Sequence, residues 1–162
     1  MKKNKISKNW VNKQRRDTYV RQSKIDGYRA RSVYKLIEID EKFKIFKGGM
    51  SVIDIGAAPG SWSQYVSKTV KNGKLISFDL KDMENIKNID AIYTGELCKE
   101  AMIFSKDVIS DNGFFISKIF MGATFNEIVA QGKSIFREVK VFKPKSSRKD
   151  SKESFIICKN LR

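Results

Sequence analysis

The spacing of hydrophobic residues predicts a helix followed by a strand, a helix and a second strand in the first half of the chain. Apolar residues recur every three or four positions over residues 32–46, which predicts an amphipathic helix that ends before Gly48. Residues 51–55 form a β-branched run that predicts a strand, and residues 62–70 predict the helix that follows. Residues 74–78 predict the next strand, so we expect a right-handed βαβ unit with two parallel strands.

The second half of the chain continues the alternation of helices and strands. Helical spacing over residues 96–110 precedes an apolar run over residues 114–120, which predicts a strand hydrophobic enough to be central in a sheet. A helix is expected over residues 125–136, and strands over residues 139–142 and 154–158. This order predicts an α/β fold with an open sheet. With 162 residues, the chain is expected to form a single domain over residues 31–162, after an N-terminal segment over residues 1–30.

Positive charge is concentrated in that N-terminal segment, which we call the basic arm. It holds ten Lys or Arg and two Asp, with Trp10, Tyr19 and Tyr28 between them. The whole chain has 33 basic and 18 acidic residues, for a formal net charge of +15, and such a field attracts polyanions. Because aromatic rings can stack on bases, the arm is expected to contact nucleic acid, with a solvated, frayed terminus as the alternative. Residues 140–152 form a second stretch, with six basic residues and one acid.

The composition excludes several classes of active site and of location. The chain has no His, which excludes a Ser-His-Asp triad, a Cys-His pair and a His-based zinc site. Cys98 and Cys158 match no metal-ligand spacing and are interpreted as packing residues in a protein from a reducing compartment. No signal sequence and no run of 18 apolar residues is present, so we expect a cytoplasmic protein without a membrane or a metal as partner, acting as a monomer.

The run from Asp54 to Trp62 is the sharpest local signal of a binding site. Gly56 and Gly60 follow the first predicted strand, where glycines let a backbone approach a ligand closely and where the next helix begins. Asp79 ends the second predicted strand, about twenty residues further on, where an acidic side chain can accept hydrogen bonds from ribose hydroxyls. We therefore predict a nucleoside-type cofactor, with a purely structural turn as the alternative. The pattern departs from G-x-G-x-x-G, which disfavours NAD.

Lys118 is the one charged residue in the apolar run 114–120. A lysine inside such a strand must lose the hydration of its ammonium group unless it emerges at the carboxyl end of the strand, which is the edge where open α/β sheets bind ligands. Desolvation and a neighbouring cation such as Lys35 would favour the neutral amine, which can accept a proton from a hydroxyl. Glu153 could position one of these amines. The alternative is that Lys118 extends past the strand end into water.

Four segments of the chain form an ordered set of motifs: residues 29–36 (RARSVYKL), 54–64 (DIGAAPGSWSQ), 114–120 (FFISKIF) and 143–153 (KPKSSRKDSKE). In this order they resemble the motifs of the FtsJ-type ribosomal RNA 2′-O-ribose methyltransferases. The resemblance covers nearly all of the chain from about residue 7 onward. It implies a Rossmann-like fold that uses S-adenosyl-L-methionine, with a mostly parallel central sheet, and a uridine of large-subunit ribosomal RNA as the target.

The resemblance also assigns roles to individual residues. In this family a Lys-Asp-Lys-Glu tetrad surrounds the reacting hydroxyl, and the matching catalytic residues here are Lys35, Lys118 and Glu153, with Lys118 as the principal one. The cofactor-binding residues that it implies are those of the glycine loop and its flanks: Asp54, Gly56, Ala57, Pro59, Gly60, Trp62 and Asp79. The expected partner is ribosomal RNA, in the large ribosomal subunit.

The aspartate of the tetrad has no match in this sequence. The family places it after a fourth strand, which should fall between residues 79 and 96, but here residues 89–93 run almost directly into Thr94 and the next helix. We therefore expect the fourth strand to be missing, with the junction near Tyr93. The chain is then either an internally shortened form of a longer enzyme or a rearranged form without activity.

Three functions remain open on the sequence. The first is methyl transfer to a ribose 2′-hydroxyl of large-subunit ribosomal RNA. The second is a catalytically inactive RNA-binding module that retains the methyltransferase fold. The third, an NAD-dependent oxidoreductase, is disfavoured by the glycine pattern and by the absence of His.

Overall fold

The computed structural model of the chain describes residues 8–79 and 90–162. These residues belong to two compact units, residues 1–80 and residues 81–162, which we call the first and the second unit. Each unit combines helices with a β-sheet, in the alternating order that the sequence predicts. The single domain over residues 31–162 stays a prediction.

Residues 8–79, the described part of the first unit, form four helices and two strands. Its elements are α1 (Lys8–Arg16), α2 (Thr18–Ile25), α3 (Val33–Phe43), β1 (Ser51–Ile55), α4 (Ser61–Thr69) and β2 (Lys74–Phe78). The basic arm therefore contains two short helices. Helix α3 ends earlier than the pattern predicts, because Lys44 adopts a left-handed conformation with φ of 52° and its N–H donates to the Asp40 carbonyl at 2.7 Å.

Strands β1 and β2 pair in parallel, and helix α4 lies between them in the chain. The register runs from Ser51 opposite Lys74 to Ile55 opposite Phe78. The predicted pair of parallel strands is therefore confirmed. The large apolar side chains that these strands leave exposed are Ile53, Ile55, Ile76 and Phe78.

Residues 90–162 of the second unit form two helices and a three-stranded antiparallel sheet. Its described elements are α5 (Asp90–Val108), β3 (Phe114–Phe120), α6 (Phe125–Ile135), β4 (Phe136–Phe142) and β5 (Glu153–Leu161). The strand order is β3-β5-β4. The prediction that β3 is central is wrong for the described part of the chain, where β5 takes that place. The physical reason is that β5 has five consecutive buried residues, whereas Lys118 interrupts the apolar run of β3.

The core of the second unit lies between helices α5 and α6 and one face of the sheet. Cys98, Met102 and Ile119 are among its fully buried residues, together with Phe136 and Cys158. Both cysteines are free and buried, which confirms their interpretation as packing residues. Burial raises the pKa of the Cys158 thiol to about 12. Within residues 8–79 and 90–162, no helix combines the length and the hydrophobicity needed to cross a membrane.

Candidate functional site

The glycine loop, residues 56–60, joins β1 to α4 in the first unit. Gly56 and Gly60 have φ of 73° and 91°, a region that L side chains rarely adopt, so the loop requires glycine at both ends. The Gly56 and Ala57 N–H groups donate to the Phe78 carbonyl at 3.0 and 3.2 Å, and the Gly60 N–H donates to the Ala57 carbonyl at 2.5 Å. The loop is therefore held in shape against the carboxyl end of β2.

Asp79 holds the same loop through its side chain. Its Oδ2 accepts a hydrogen bond at 2.6 Å from the backbone N–H of Ala58, and the side chain is exposed. The other oxygen, Oδ1, has no hydrogen-bond partner within the residues that the structure describes. Asp79 can therefore support the loop with one oxygen and accept hydrogen bonds from a ligand with the other.

The loop and Asp79 fit an adenosine-type cofactor. A Cβ atom built at Gly56 would meet no atom within 4 Å, so the backbone at that position faces open space. An exposed carboxylate oxygen at the end of the neighbouring parallel strand supplies an acceptor of the kind that binds ribose hydroxyls. Ala57 and Pro59 lie between the two glycines, where they shape the loop. Pro59 follows a cis peptide bond.

Asp54, a predicted cofactor residue, has partners inside the protein. The Ser63 hydroxyl donates to Asp54 Oδ2 at 2.5 Å and lies 2.9 Å from the Ser77 hydroxyl. Asp54 and Ser77 are opposite each other in the parallel register, so this group ties β1, β2 and α4 together beneath the loop. Neither serine was predicted from the sequence. The only sequence signal for Ser63 was its position in the first turn of the helix after the loop.

Trp62 also has a partner within the first unit. Its indole N–H donates to the Ser32 carbonyl at 2.9 Å, and the side chain is half-buried. The predicted catalytic Lys35 lies three residues later in α3 and is also half-buried. The residues that the sequence analysis assigned to the cofactor therefore occur together in the first unit, with Lys35 on a helix of the same unit.

Lys118 and Glu153 come together on one face of the sheet in the second unit. In the antiparallel register Lys118 is opposite Phe155, and Phe120 is opposite Glu153. Opposite residues point to the same face, so Lys118 and Glu153 are diagonal neighbours, about 7–8 Å apart between Cα atoms. The Lys118 ammonium lies 5.2 Å from the centre of the Phe120 ring. Two of the three predicted catalytic residues therefore share one surface.

The environment of Lys118 differs from the expectation in one respect. The side chain is exposed, so the described residues of the second unit do not desolvate its ammonium group. Glu153 is half-buried at the start of β5, and its backbone N–H donates a hydrogen bond to the Ser151 hydroxyl oxygen at 3.2 Å. No group of three His, Cys, Asp or Glu side chains in residues 8–79 and 90–162 is placed to hold a metal ion.

The sequence is similar to proteins named as ribosomal RNA methyltransferases. Residues 28–89 and 80–161 match the family described as FtsJ-like methyltransferase. The chain is 60% identical over 203 aligned residues to Ribosomal RNA large subunit methyltransferase E of Pelagibacter ubique, and the alignment covers 100% of both chains. It is 36% identical to the protein of the same name from Rickettsia rickettsii, covering 95% of this chain and 88% of that protein.

A solved structure shares the fold. It is described as a ribosomal RNA methyltransferase of Plasmodium falciparum and superposes with a TM-score of 0.63 at 24% identity, covering 83% of this chain and 98% of that chain. The alignment with the Pelagibacter protein spans 203 positions although this chain has 162 residues, so about forty positions have no counterpart here. The two family matches overlap at residues 80–89, close to the junction where the sequence analysis expected a segment to be missing.

Proposed function

The chain belongs to the FtsJ-like methyltransferase family, and on this basis we propose that it transfers a methyl group from S-adenosyl-L-methionine to the ribose 2′-hydroxyl of a uridine in large-subunit ribosomal RNA. The observation that carries the proposal is the 60% identity, over the whole of both chains, to a protein named Ribosomal RNA large subunit methyltransferase E. The same proposal includes four further points: the large ribosomal subunit as the form of the substrate, a monomeric state, a cytoplasmic location and the lack of a metal.

The first unit supplies the cofactor site in this proposal. S-Adenosyl-L-methionine, when bound, supplies an electrophilic methyl group. Gly56 offers open backbone surface to the ligand, and Asp79 Oδ1 accepts hydrogen bonds from ribose hydroxyls. Asp54 acts through Ser63 and Ser77, which hold the loop at the ends of the two parallel strands. Trp62 fixes the first turn of α4 through its bond to the segment before α3.

The second unit supplies the group that handles the proton. Lys118 binds the 2′-hydroxyl of the substrate and, in its uncharged form, accepts the proton that the hydroxyl loses. Glu153 is the diagonal neighbour of Lys118 on the same sheet face, where its carboxylate can orient the amine. Lys35, on α3 of the first unit, is the remaining lysine of the tetrad that the family resemblance implies. These residues therefore orient the hydroxyl and remove its proton.

The RNA contacts in this proposal are made by the two basic stretches. The basic arm has exposed cations on α1 and α2, and residues 140–152 lie at the end of β4 and in the β4–β5 loop. Phosphate contacts release counterions from RNA, so the logarithm of the affinity should fall linearly with the logarithm of the salt concentration. An affinity that does not change between about 50 and 200 mM salt would contradict this assignment.

The test is methylation of unmodified large-subunit ribosomal RNA by the full chain. After incubation with S-adenosyl-L-methionine, nuclease digestion and mass spectrometry should detect 2′-O-methyluridine. Lys118→Ala should lower the rate at least about a hundredfold, because general-base catalysis contributes about 10²–10⁴, and it should leave the affinity for S-adenosylhomocysteine unchanged. Lys106→Ala, which removes an exposed lysine from α5, is the matched control and should retain the rate. Substantial methylation by Lys118→Ala would remove this residue from the mechanism.

One observation favours a second function, an RNA-binding module without chemistry. About forty aligned positions of the Pelagibacter protein have no counterpart in this chain, and the aspartate of the family's tetrad has no match in the sequence. A pure RNA binder should bind the ribosomal RNA with the same salt dependence and give no heat in a calorimetric titration with S-adenosyl-L-methionine. Cofactor binding together with 2′-O-methyluridine formation would exclude this alternative.

A further inference from the structure

The connector between α2 and α3, residues 26–32, is bound to the glycine loop and to α4. Gln64 of α4 uses both functions of its side-chain amide: its oxygen accepts from the Arg29 backbone N–H at 2.8 Å, and its nitrogen donates to the Gly27 carbonyl at 3.2 Å. The Arg29 guanidinium reaches the loop itself and donates to the Pro59 carbonyl at 3.2 Å. These three hydrogen bonds hold the connector beside the loop.

The contact between the connector and the loop is close. A Cβ atom built at Gly60 would lie 2.6 Å from Arg29 Nη1, so the guanidinium occupies the space that any other residue at this position would need. The Ser32 hydroxyl lies 2.9 Å from the Ser61 hydroxyl, and the Trp62 indole donates to the Ser32 carbonyl at 2.9 Å. The connector therefore contacts the loop at its end and α4 over its first turn.

The connector begins within the basic arm, and hydrogen bonds and an ion pair on its opposite side involve the two residues that cap α2. Arg31 forms an ion pair with Asp17, the N-cap residue of α2, and its guanidinium lies 5.3 Å from the centre of the Tyr19 ring. Tyr34 donates from its hydroxyl to Asp26, the C-cap residue of α2, at 2.5 Å. The helix that carries cations of the arm and the loop that faces the cofactor are therefore joined through the same short segment.

We propose that Arg29 and Gln64 are positioning residues that couple RNA binding at the basic arm to cofactor binding at the glycine loop. The inference rests on the proposed function, because it needs both ligands. RNA phosphates that hold α2 in place also restrain the connector, and the connector restrains residues 59 and 60 of the loop. A cofactor that then binds loses less conformational freedom, so each ligand tightens the binding of the other.

The exposure of these contacts makes them responsive to a ligand. The three hydrogen bonds made by Arg29 and Gln64 are all exposed, and an exposed hydrogen bond contributes little net stability because water can replace it. Helix α2 has eight residues, and helices this short are marginal without tertiary contacts. Binding of RNA along α2 can therefore change how often the connector is docked.

The test is the effect of RNA on the affinity for S-adenosylhomocysteine. Calorimetry on the full chain gives the dissociation constant with and without an unmodified transcript of large-subunit ribosomal RNA. In the wild type the RNA should tighten binding at least about fivefold, which is the lower end of typical coupling between two sites. Gln64→Ala and Arg29→Lys should bring this ratio close to one, and the lysine keeps the positive charge for RNA.

Matched controls come from the second unit. Gln131→Ala removes a glutamine that donates to the Lys99 carbonyl at 2.9 Å, and Arg137→Lys makes the same arginine-to-lysine change at an exposed position of β4. Both should keep the wild-type ratio. A ratio of one in the wild type, with both ligands bound, would overturn the coupling and leave the proposed function standing. Absence of any S-adenosylhomocysteine binding would overturn the proposed function and this inference with it.

A measurement on the wild type alone keeps the proposal testable if a variant does not fold. The N–H groups of Gly56, Ala57, Ala58 and Gly60 are all hydrogen-bonded within the unit, so their hydrogen exchange reports how often the loop opens. RNA, added without cofactor, should slow their exchange several-fold. Unchanged exchange at these four amides, in protein saturated with RNA, would refute the coupling.

Discussion

Replacing Asp40 by alanine should destabilise the first unit by about 3–4 kcal/mol. The carboxylate accepts three hydrogen bonds: Oδ1 from the backbone N–H groups of Ile45 and Phe46, both at 2.9 Å, and Oδ2 from the Tyr65 hydroxyl at 2.7 Å. The first two donors follow the end of α3, and the third lies on α4. One side chain therefore ends the helix that carries Lys35 and joins it to the helix that follows the glycine loop.

The magnitude follows from the number of bonds and their exposure. A hydrogen bond to a charged group contributes about 1.5–3 kcal/mol, and these half-buried bonds belong at the low end. A negative charge near the end of α3 opposes the helix dipole and costs about 0.3–1 kcal/mol, so the hydrogen bonds outweigh it. Asp40→Asn keeps an oxygen for the two N–H groups and should cost about 1 kcal/mol, as should Tyr65→Phe.

The assay is urea unfolding followed by tryptophan fluorescence, because Trp10 and Trp62 both belong to the first unit. Glu41→Ala removes an exposed carboxylate from the same helix and should change the free energy of unfolding by less than about 0.5 kcal/mol. If Asp40→Ala lost no more stability than Glu41→Ala, the three hydrogen bonds would not hold α3 to α4, and the reasoning would be refuted.

Two further predictions concern one residue of each unit. Gly60→Ala should cost the first unit about 2–3 kcal/mol, because φ of 91° costs an L residue about 1–2 kcal/mol and the new Cβ would displace the Arg29 guanidinium from Pro59. Gly27 also has a positive φ, of 73°, but a Cβ atom built there would meet no atom within 4 Å, so Gly27→Ala should show only the cost of the backbone conformation. Equal losses of stability in urea unfolding for the two variants would contradict the contact between residue 60 and Arg29. In the second unit, burial raises the pKa of the Cys158 thiol from about 9 to about 12, so the stability it contributes is complete below pH 9 and is lost as the pH rises towards 12. Between pH 8 and 11, the free energy of unfolding should decline more steeply in the wild type than in Cys158→Ala. Parallel declines in the two proteins would show that loss of the thiol proton is not the cause.

Local signals in the sequence predicted the elements that carry the site. The β-branched run 51–55 and the apolar run 74–78 give β1 and β2 with the predicted bounds, because strand spacing and the glycines after β1 act over a few residues. The predicted strand 114–120 also matches β3 in its bounds. Lys118 was predicted within a strand and Glu153 just before the last strand, so their proximity across two strands follows once the register is known.

Other features depended on distant contacts that no local pattern encodes. Helical spacing predicted a helix that begins at residue 96, but α5 runs through Gly95, where a Cβ atom would lie 2.7 Å from the Thr124 hydroxyl oxygen. The glycine is thus required by close packing against the residue before α6. In the same way, the hydrogen bond from Ser63 to Asp54 forms only when α4 packs against β1. No local pattern shows this contact, so Asp54 was predicted to bind the cofactor directly.

The exposed apolar side chains of β1 and β2 make solubility depend on electrostatic repulsion between molecules. Ile53, Ile55, Ile76 and Phe78 line two short strands that could pair with the same strands of another copy. The net charge of +15 opposes such encounters as long as the solution contains little salt. Salt screens this repulsion, so high-salt washes during purification should promote aggregation, and a return to low salt should restore the repulsion.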